Sequence, residues 1–180
     1  MPGPPLHPAR LAIKTLEEQS RFEAIRSAGP GGQHRNKVST GVRLTHLPTG
    51  IQGMATERRS QLQNKVMALS RLRLRLALDF RSSLGNTGDA PPTPYEPSPI
   101  WRSRVRNSQV RVNPAHLDFP ALLAEVLDRL AIQDDDLDRT AADFAVTRSQ
   151  LVKFLALEKA ALARLNERRR ERGEGALRTG

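Results

Sequence analysis

The sequence predicts an α+β fold, a small antiparallel sheet with one long packing helix, followed by a small all-α module. Three observations predict it. Short stretches of strand type lie at 20–27, 41–46 and 51–56. An apolar stripe then runs without a breaker from 59 or 60 to 81. Beyond Asp118, helix caps and apolar steps of three and four residues repeat.

Taken in order, Met1–Leu16 carries Pro2, Pro4, Pro5 and Pro8, which spoil an amphipathic helix, and is expected to be disordered; its Arg10 and Lys14 without an acid leave a short targeting peptide as the alternative. In the first strand Phe22, Ala24 and Ile25 are expected to face inward, and Val42 with Leu44 gives the second a clear period of two. Leu47-Pro48-Thr49-Gly50 reads as a turn, with Pro48 presetting one dihedral and Gly50 allowing a positive one, so the chain returns as a third strand interrupted by Gly53. In the long helix Leu62, Val66, Leu69, Leu72 and Leu76 form the expected buried face, and Arg71, Arg73 and Arg75 mostly avoid it, either as a solvated surface or as phosphate contacts.

Gly85–Pro99 is rich in proline and reads as an extended linker. The expected domains are thus a disordered 1–16, a first domain over 17–84, a linker over 85–100 and a helical module over 101–175. Trp101 lies among Arg102, Arg104, Arg106 and Arg111, where it either stacks on a base or docks the linker onto its own domain. Asp118 with Pro120 opens a helix that buries Leu122, Leu123, Val126, Leu127 and Leu130. A second helix covers about 137–145. Thr147-Arg148-Ser149-Gln150 matches a capping box, so a third begins at Arg148 and buries Leu151, Phe154 and Leu155, and a fourth spans 160–170. The pair around Ala145-Val146-Thr147 has the outline of a helix-turn-helix, which small bundles also make for packing reasons.

The chain has 180 residues and a formal charge of +10, pointing to an anionic partner. Residues 1–85 hold 14 basic and 5 acidic groups (+9), and residues 86–180 hold 15 and 14 (+1). With 4% aromatic residues the core should be mainly aliphatic, and without cysteine there can be no disulfide or thiolate site. No apolar run is long enough to span a membrane. A cytoplasmic protein with no membrane partner, no metal and no cofactor is expected.

The basic excess accompanies Gly29-Pro30-Gly31-Gly32-Gln33-His34-Arg35-Asn36, placed between two strands and so expected in an exposed loop. Gly31 and Gly32 let the main chain approach another molecule, and the next residue presents its own N–H. A fixed backbone donor aimed at developing negative charge lowers the barrier of acyl transfer, so Gly31, Gly32 and Gln33 are the catalytic candidates. His34 is a conceivable general base or a nucleic-acid contact. No Ser/His/Asp order or carboxylate pair accompanies the loop, so another molecule must complete the site.

Residues Arg26–His34, Asn36-Lys37, Val42–Ile51 and Arg59-Ser60-Gln61 with Asn64 closely resemble the catalytic domain of class I peptide-chain release factors, over about 20–82. The resemblance implies that the loop enters the ribosomal peptidyl transferase centre and that the Gln33 backbone N–H assists water attack on the peptidyl-tRNA ester, hydrolysis being expected only there. It implies as partners the ribosome, through large-subunit rRNA and peptidyl-tRNA, and a glutamine methyltransferase acting on Gln33. His34, Asn36, Lys37, Arg59, Gln61 and Asn64 become candidates for rRNA contact or loop support. Only about twenty residues precede the matching domain, where full-length release factors carry a codon-reading region, so release without stop-codon recognition is expected, as in short factors that rescue stalled ribosomes; the alternative is a non-catalytic ribosome- or RNA-binding adaptor. The helical module is similar to the C-terminal part of bacterial release factor-like proteins. Arg35 stands where classic members have a small apolar residue, and Gly53-Met54-Ala55 is an atypical third strand.

Overall fold

The computed structural model describes residues 6–26, 40–82 and 95–178. The expected Gly-rich loop and most of the expected linker lie outside them. The chain forms two compact units, one of Leu6–Phe80 and one that takes up the chain from Arg81. The first is the expected antiparallel sheet with its long helix and the second is mainly helical, so the fold is α+β.

In the first unit β1 (Ser20–Ile25), β2 (Gly41–His46) and β3 (Gln52–Ala55) form an antiparallel sheet with β2 in the centre. Partners across it include Ile25 with Gly41, Phe22 with Leu44 and Leu44 with Gly53. The turn after β2 has Gly50 at φ 70°, the left-handed geometry that favours glycine. Helix α2 (Gln61–Asp79) packs on β2 and β3 over Val42, Leu44, Gly53 and Ala55, all buried. Gly53 is what lets the helix in: a Cβ there would lie 2.2 Å from the Ala68 carbonyl oxygen and 2.5 Å from the Leu72 nitrogen.

The expected inward residues of β1 are placed differently. Phe22 and Ala24 are exposed, because α2 covers β2 and β3 and the opposite edge strand lies beyond its main contacts. The buried face of α2 also differs at its start. Leu62 and Val66 are 71% and 60% exposed, and Asn64 and Ala68 are buried instead. Two residues of helix turn through about 200°, so Leu62 and Asn64 point to opposite sides. A periodicity that counts apolar residues misses a first turn buried through a carboxamide.

The three arginines of α2 are engaged by their own unit. Arg71 donates to the Met54 carbonyl at 2.7 Å and pairs with Glu57, and Arg75 donates to the Gln52 carbonyl at 3.2 Å. Since β3 is an edge strand, these two cover carbonyls that it would otherwise offer to another strand. Arg73 is buried and donates to the Ala9 carbonyl at 3.0 Å. That contact belongs to a segment expected to be disordered: Pro8–Arg10 forms a 3-10 turn and α1 spans Ile13–Glu18. Pro8, which spoils a longer helix, suits the first position of this turn, and Ala9 and Leu16 are fully buried. His7 accepts from the Ala9 N–H through Nδ1 (3.0 Å), which leaves Nε2 to donate to the Phe80 carbonyl (3.2 Å).

The second unit contains α3 (Pro99–Arg104), a hairpin of β4 (Val105–Arg106) and β5 (Gln109–Val110), and then α4 (Phe119–Ile132), α5 (Leu137–Asp143), α6 (Arg148–Ala156) and α7 (Lys159–Glu171). Its core is mainly aliphatic, as expected, and contains one aromatic cluster. Trp101, Phe119, Phe144 and Phe154 are buried in edge-to-face contacts, and the Trp101 Nε1–H donates to the Phe144 carbonyl at 2.9 Å. Trp101 therefore docks into its own unit. The hairpin, absent from the sequence reading, turns on Asn107 and Ser108 at φ 49° and 57°, the geometry of a two-residue type I′ loop.

Two carboxylates one turn apart on α4 hold the residues flanking 83–94. Asp128 accepts from the Ser82 hydroxyl (2.5 Å) and N–H (3.2 Å) and pairs with Arg81. Glu125 accepts from the Ser98 hydroxyl and N–H, each at 2.6 Å, and from the Tyr95 hydroxyl at 3.0 Å. Contacts of the second unit thus begin at Arg81, before the proline-rich stretch rather than after it. Asp118 occupies the N-cap position of α4 without a capping bond, its carboxylate being taken by Arg104 at 2.9 Å. Thr147 caps α6, which begins at Arg148 as expected, with Oγ1 accepting from the Gln150 N–H at 3.2 Å.

Candidate functional site

The candidate catalytic residues Gly31, Gly32 and Gln33, with His34, Asn36 and Lys37, lie outside the described residues, whereas Arg59, Gln61 and Asn64 lie within them. Ile25 and Gly41 are partners at the end of the β1–β2 ladder, so the chain that carries the motif leaves and re-enters the sheet at adjacent points. That connection, 26–40, far exceeds the roughly 2–5 residues of an ordinary hairpin loop. At its exit Gly41 has no room for a side chain: a Cβ would meet the Ile25 carbonyl oxygen at 2.7 Å and Thr56 Cγ2 at 2.9 Å.

Asn64 fixes the exit. It is fully buried, and its Nδ2 donates to the Thr40 carbonyl at 2.7 Å and the Arg58 carbonyl at 2.8 Å, while Oδ1 accepts from the Arg58 N–H at 2.9 Å. One carboxamide therefore joins the last residue before β2 to the segment leading into α2. Among the three described candidates only Asn64 makes this connection. Arg59 and Gln61 are exposed at the start of α2, beside Arg58 and the N-cap Ser60, whose hydroxyl accepts from the Gln63 N–H at 3.4 Å. Arg59 enters no ion pair among the described residues.

The same segment is braced from below. Glu57 accepts from the Thr56 N–H at 2.8 Å, and hydrogen bonding from Arg71, helped by backbone N–H groups, brings its carboxyl down to about 2. Thr40, Gly41, Arg58 and Glu57 were not singled out by sequence reasoning, and Arg71 was read as a solvated surface or a phosphate contact rather than as a brace for this segment. Gly41, directly ahead of an alternating strand, was the one available signal; the rest depend on contacts between distant elements. At the other end of β2, His46 is buried, donating through Nε2 to Gln19 Oε1 at 3.2 Å and accepting from the Thr49 hydroxyl at 2.8 Å. Burial pushes its imidazole below the ordinary 6.5. Among the described residues no group of His, Asp and Glu is placed to hold a metal ion, and no helix is long and apolar enough to cross a membrane.

Comparison with known proteins meets this geometry directly. Residues 9–88 match the family model described as the RF-1 domain, an interval that contains the three strands, α2 and the Gly31-Gly32-Gln33 motif. The chain is 48% identical over 66 residues to the chloroplastic peptide chain release factor PrfB1 of Arabidopsis thaliana, covering 37% of this chain and 14% of that protein. It is 41% identical over 88 residues to peptide chain release factor 1 of Chloroherpeton thalassium (43% and 25%), and 50% identical over 64 residues to peptide chain release factor 2 of Salinispora tropica (36% and 17%). It thus spans a quarter or less of the length of these relatives. The family match over the whole interval and the identity to these release factors lead to one assignment: residues 9–88 match the catalytic domain of class I peptide-chain release factors.

Proposed function

We propose that this chain promotes hydrolysis of the peptidyl-tRNA ester on the ribosome, with the loop of Gly31, Gly32 and Gln33 entering the peptidyl transferase centre. A water oxygen attacks the ester carbonyl carbon, the bond to the tRNA ribose oxygen breaks, and that oxygen leaves with a proton as the alcohol. The Gln33 backbone N–H donates to the oxygen on which negative charge grows, and the two preceding glycines let the main chain reach it. The observation that carries this reading is the RF-1 domain match, which spans the motif within a sheet that holds the loop's two ends together.

In this reading Asn64 supports the loop, and His34, Asn36, Lys37, Arg59 and Gln61 meet rRNA phosphates or steady the loop beside them. The charge of +9 over residues 1–85 suits such a surface. Gln33 is the site on which a glutamine methyltransferase acts, and the protein works in the cytoplasm. Release proceeds without reading a stop codon, as ribosome rescue requires.

A release assay tests this with ribosomes carrying peptidyl-tRNA on long messages, on truncated messages and with different codons in the A site, alongside isolated large subunits. Peptide release that is independent of the codon is the expected result. A strong stop-codon preference contradicts the rescue reading, and ribosome binding without release in every arm makes the chain an adaptor.

A further inference from the structure

Within the second unit an open groove of about 570 Å³ lies between the β4–β5 hairpin and α6. Arg111 and Asn113 line it from the strand side, and Gln150, Lys153, Phe154 and Leu157 from the helix side. Its lining holds two cations that the acids of this unit do not engage. Residues 86–180 hold nearly equal numbers of basic and acidic groups (15 and 14), and Arg102, Arg104, Arg129, Arg148, Arg168, Arg169 and Arg172 each pair with a carboxylate. Arg111 and Lys153 do not: both are exposed, neither enters an ion pair with a described residue, and no Asp or Glu lines the groove. Two cations without ion pairs among the described residues, lining one concavity that holds no carboxylate, fit an anion from another molecule.

We propose that this groove binds a single strand of RNA. Its volume is on the scale of one or two nucleotides rather than a duplex. The carboxamides of Asn113 and Gln150 sit beside the two cations, offering the donors and acceptors that a 2′-hydroxyl and unpaired base edges use. Leu157, 41% exposed, adds an apolar surface for a base to cover. Arg106, exposed and outside any ion pair among the described residues, extends the basic surface along the hairpin. A helix entering the major groove of DNA leads with its N-terminus, and here the first residue of α6, Arg148, is bonded to Asp138 at 2.7 Å, which favours the strand over the duplex.

The test uses the free 180-residue chain without ribosomes, so its outcome is separate from that of the release reading. Binding of a labelled oligouridine of about 10 nucleotides is followed by fluorescence anisotropy between about 50 and 200 mM salt. Each phosphate contact on a single strand contributes about 0.7 to the slope of log affinity against log salt, so Arg111→Gln/Lys153→Gln lowers the slope by about 1.4. Over that range the wild type then loses about sevenfold more affinity than the variant. Both side chains are exposed and without ion pairs among the described residues, so thermal unfolding should be unchanged and a lost slope cannot be blamed on misfolding.

The charge-matched control Arg139→Gln/Arg170→Gln removes two exposed cations away from the groove and should leave the slope near that of the wild type. Equal slopes in the two double variants would mean that RNA follows net charge, and would overturn the proposal. So would equal affinity for the matching deoxyuridine oligomer, or an acidic peptide whose binding depends on Arg111 and Lys153 while RNA binding does not.

Discussion

The Asn64 side-chain amide donates to the Thr40 carbonyl at 2.7 Å, joining the start of α2 to the residue at which the candidate catalytic connection returns to the sheet. The same side chain exchanges two bonds with Arg58, so all its buried polar atoms are used. Asn64→Ala leaves buried backbone groups without partners, with an expected cost of about 2–3 kcal/mol. Asn64→Asp keeps the acceptor and loses the donors to both carbonyls. Denaturant unfolding measures the stability loss. Release measured under conditions where each variant stays folded should still fall, since the loop's exit is no longer fixed.

Gly53 carries the contact between β3 and α2. Gly53→Ala drives a methyl group to within 2.2 Å of the Ala68 carbonyl oxygen, a backbone atom that can move only if the helix moves. The expected loss is about 1–3 kcal/mol, as for overpacking elsewhere. Gly50→Ala is a useful contrast, because nothing lies within 4 Å of its added Cβ and the cost comes only from its φ of 70°. Thermal unfolding of the two variants should rank Gly53→Ala as the more damaging.

The antiparallel sheet, the long helix and the Thr147 cap of the second half were legible because each is a local pattern: period two in Val42 and Leu44, an unbroken stripe over α2, and Thr147 ahead of Gln150. The failures share a cause. Phe22 is exposed because of where α2 rests, Asn64 is buried because distant carbonyls need its amide, and Pro8–Arg10 is ordered because Arg73 reaches Ala9. The β4–β5 hairpin is only two residues long on each side, too short for a period to emerge. Of the candidate site, the motif itself was plain from residue types, but the clamp where the chain re-enters the sheet involves Thr40 and Arg58, whose side chains carry no signal.

Folding of the first unit should weaken in mild acid through His46. Its folded value lies below the ordinary 6.5, so above that pH the imidazole is neutral in both states and the full stability is present. As pH falls below 6.5, the unfolded chain binds a proton that the folded one resists, and stability declines. Comparing urea unfolding of wild type and His46→Gln at about pH 7 and pH 5 checks this, with the variant expected to lose part of the pH dependence.

Asp135 should act in the second unit at a much lower pH. Burial opposes its ionisation, but hydrogen bonds from Arg168 (2.8 Å to each oxygen) and Arg172 (3.0 Å) outweigh that and hold the carboxyl below 3.8. Its contribution is complete above 3.8 and is lost as pH falls through the lowered value. Asp135→Asn, which leaves Arg168 without its paired carboxylate and Arg172 with Glu174 alone, should cost about 2–3 kcal/mol at neutral pH. Guanidine is unsuitable as denaturant because it screens the pair, so urea unfolding is the measurement.

The central claim rests on one backbone N–H, and Gln33→Pro removes it. Single-turnover release from ribosomes stalled on a truncated message should fall by about 100-fold or more in this variant, while Gln33→Ala, which keeps the N–H, is impaired much less. Equal release by wild type and Gln33→Pro, with both bound to the ribosome to the same extent, would contradict the account.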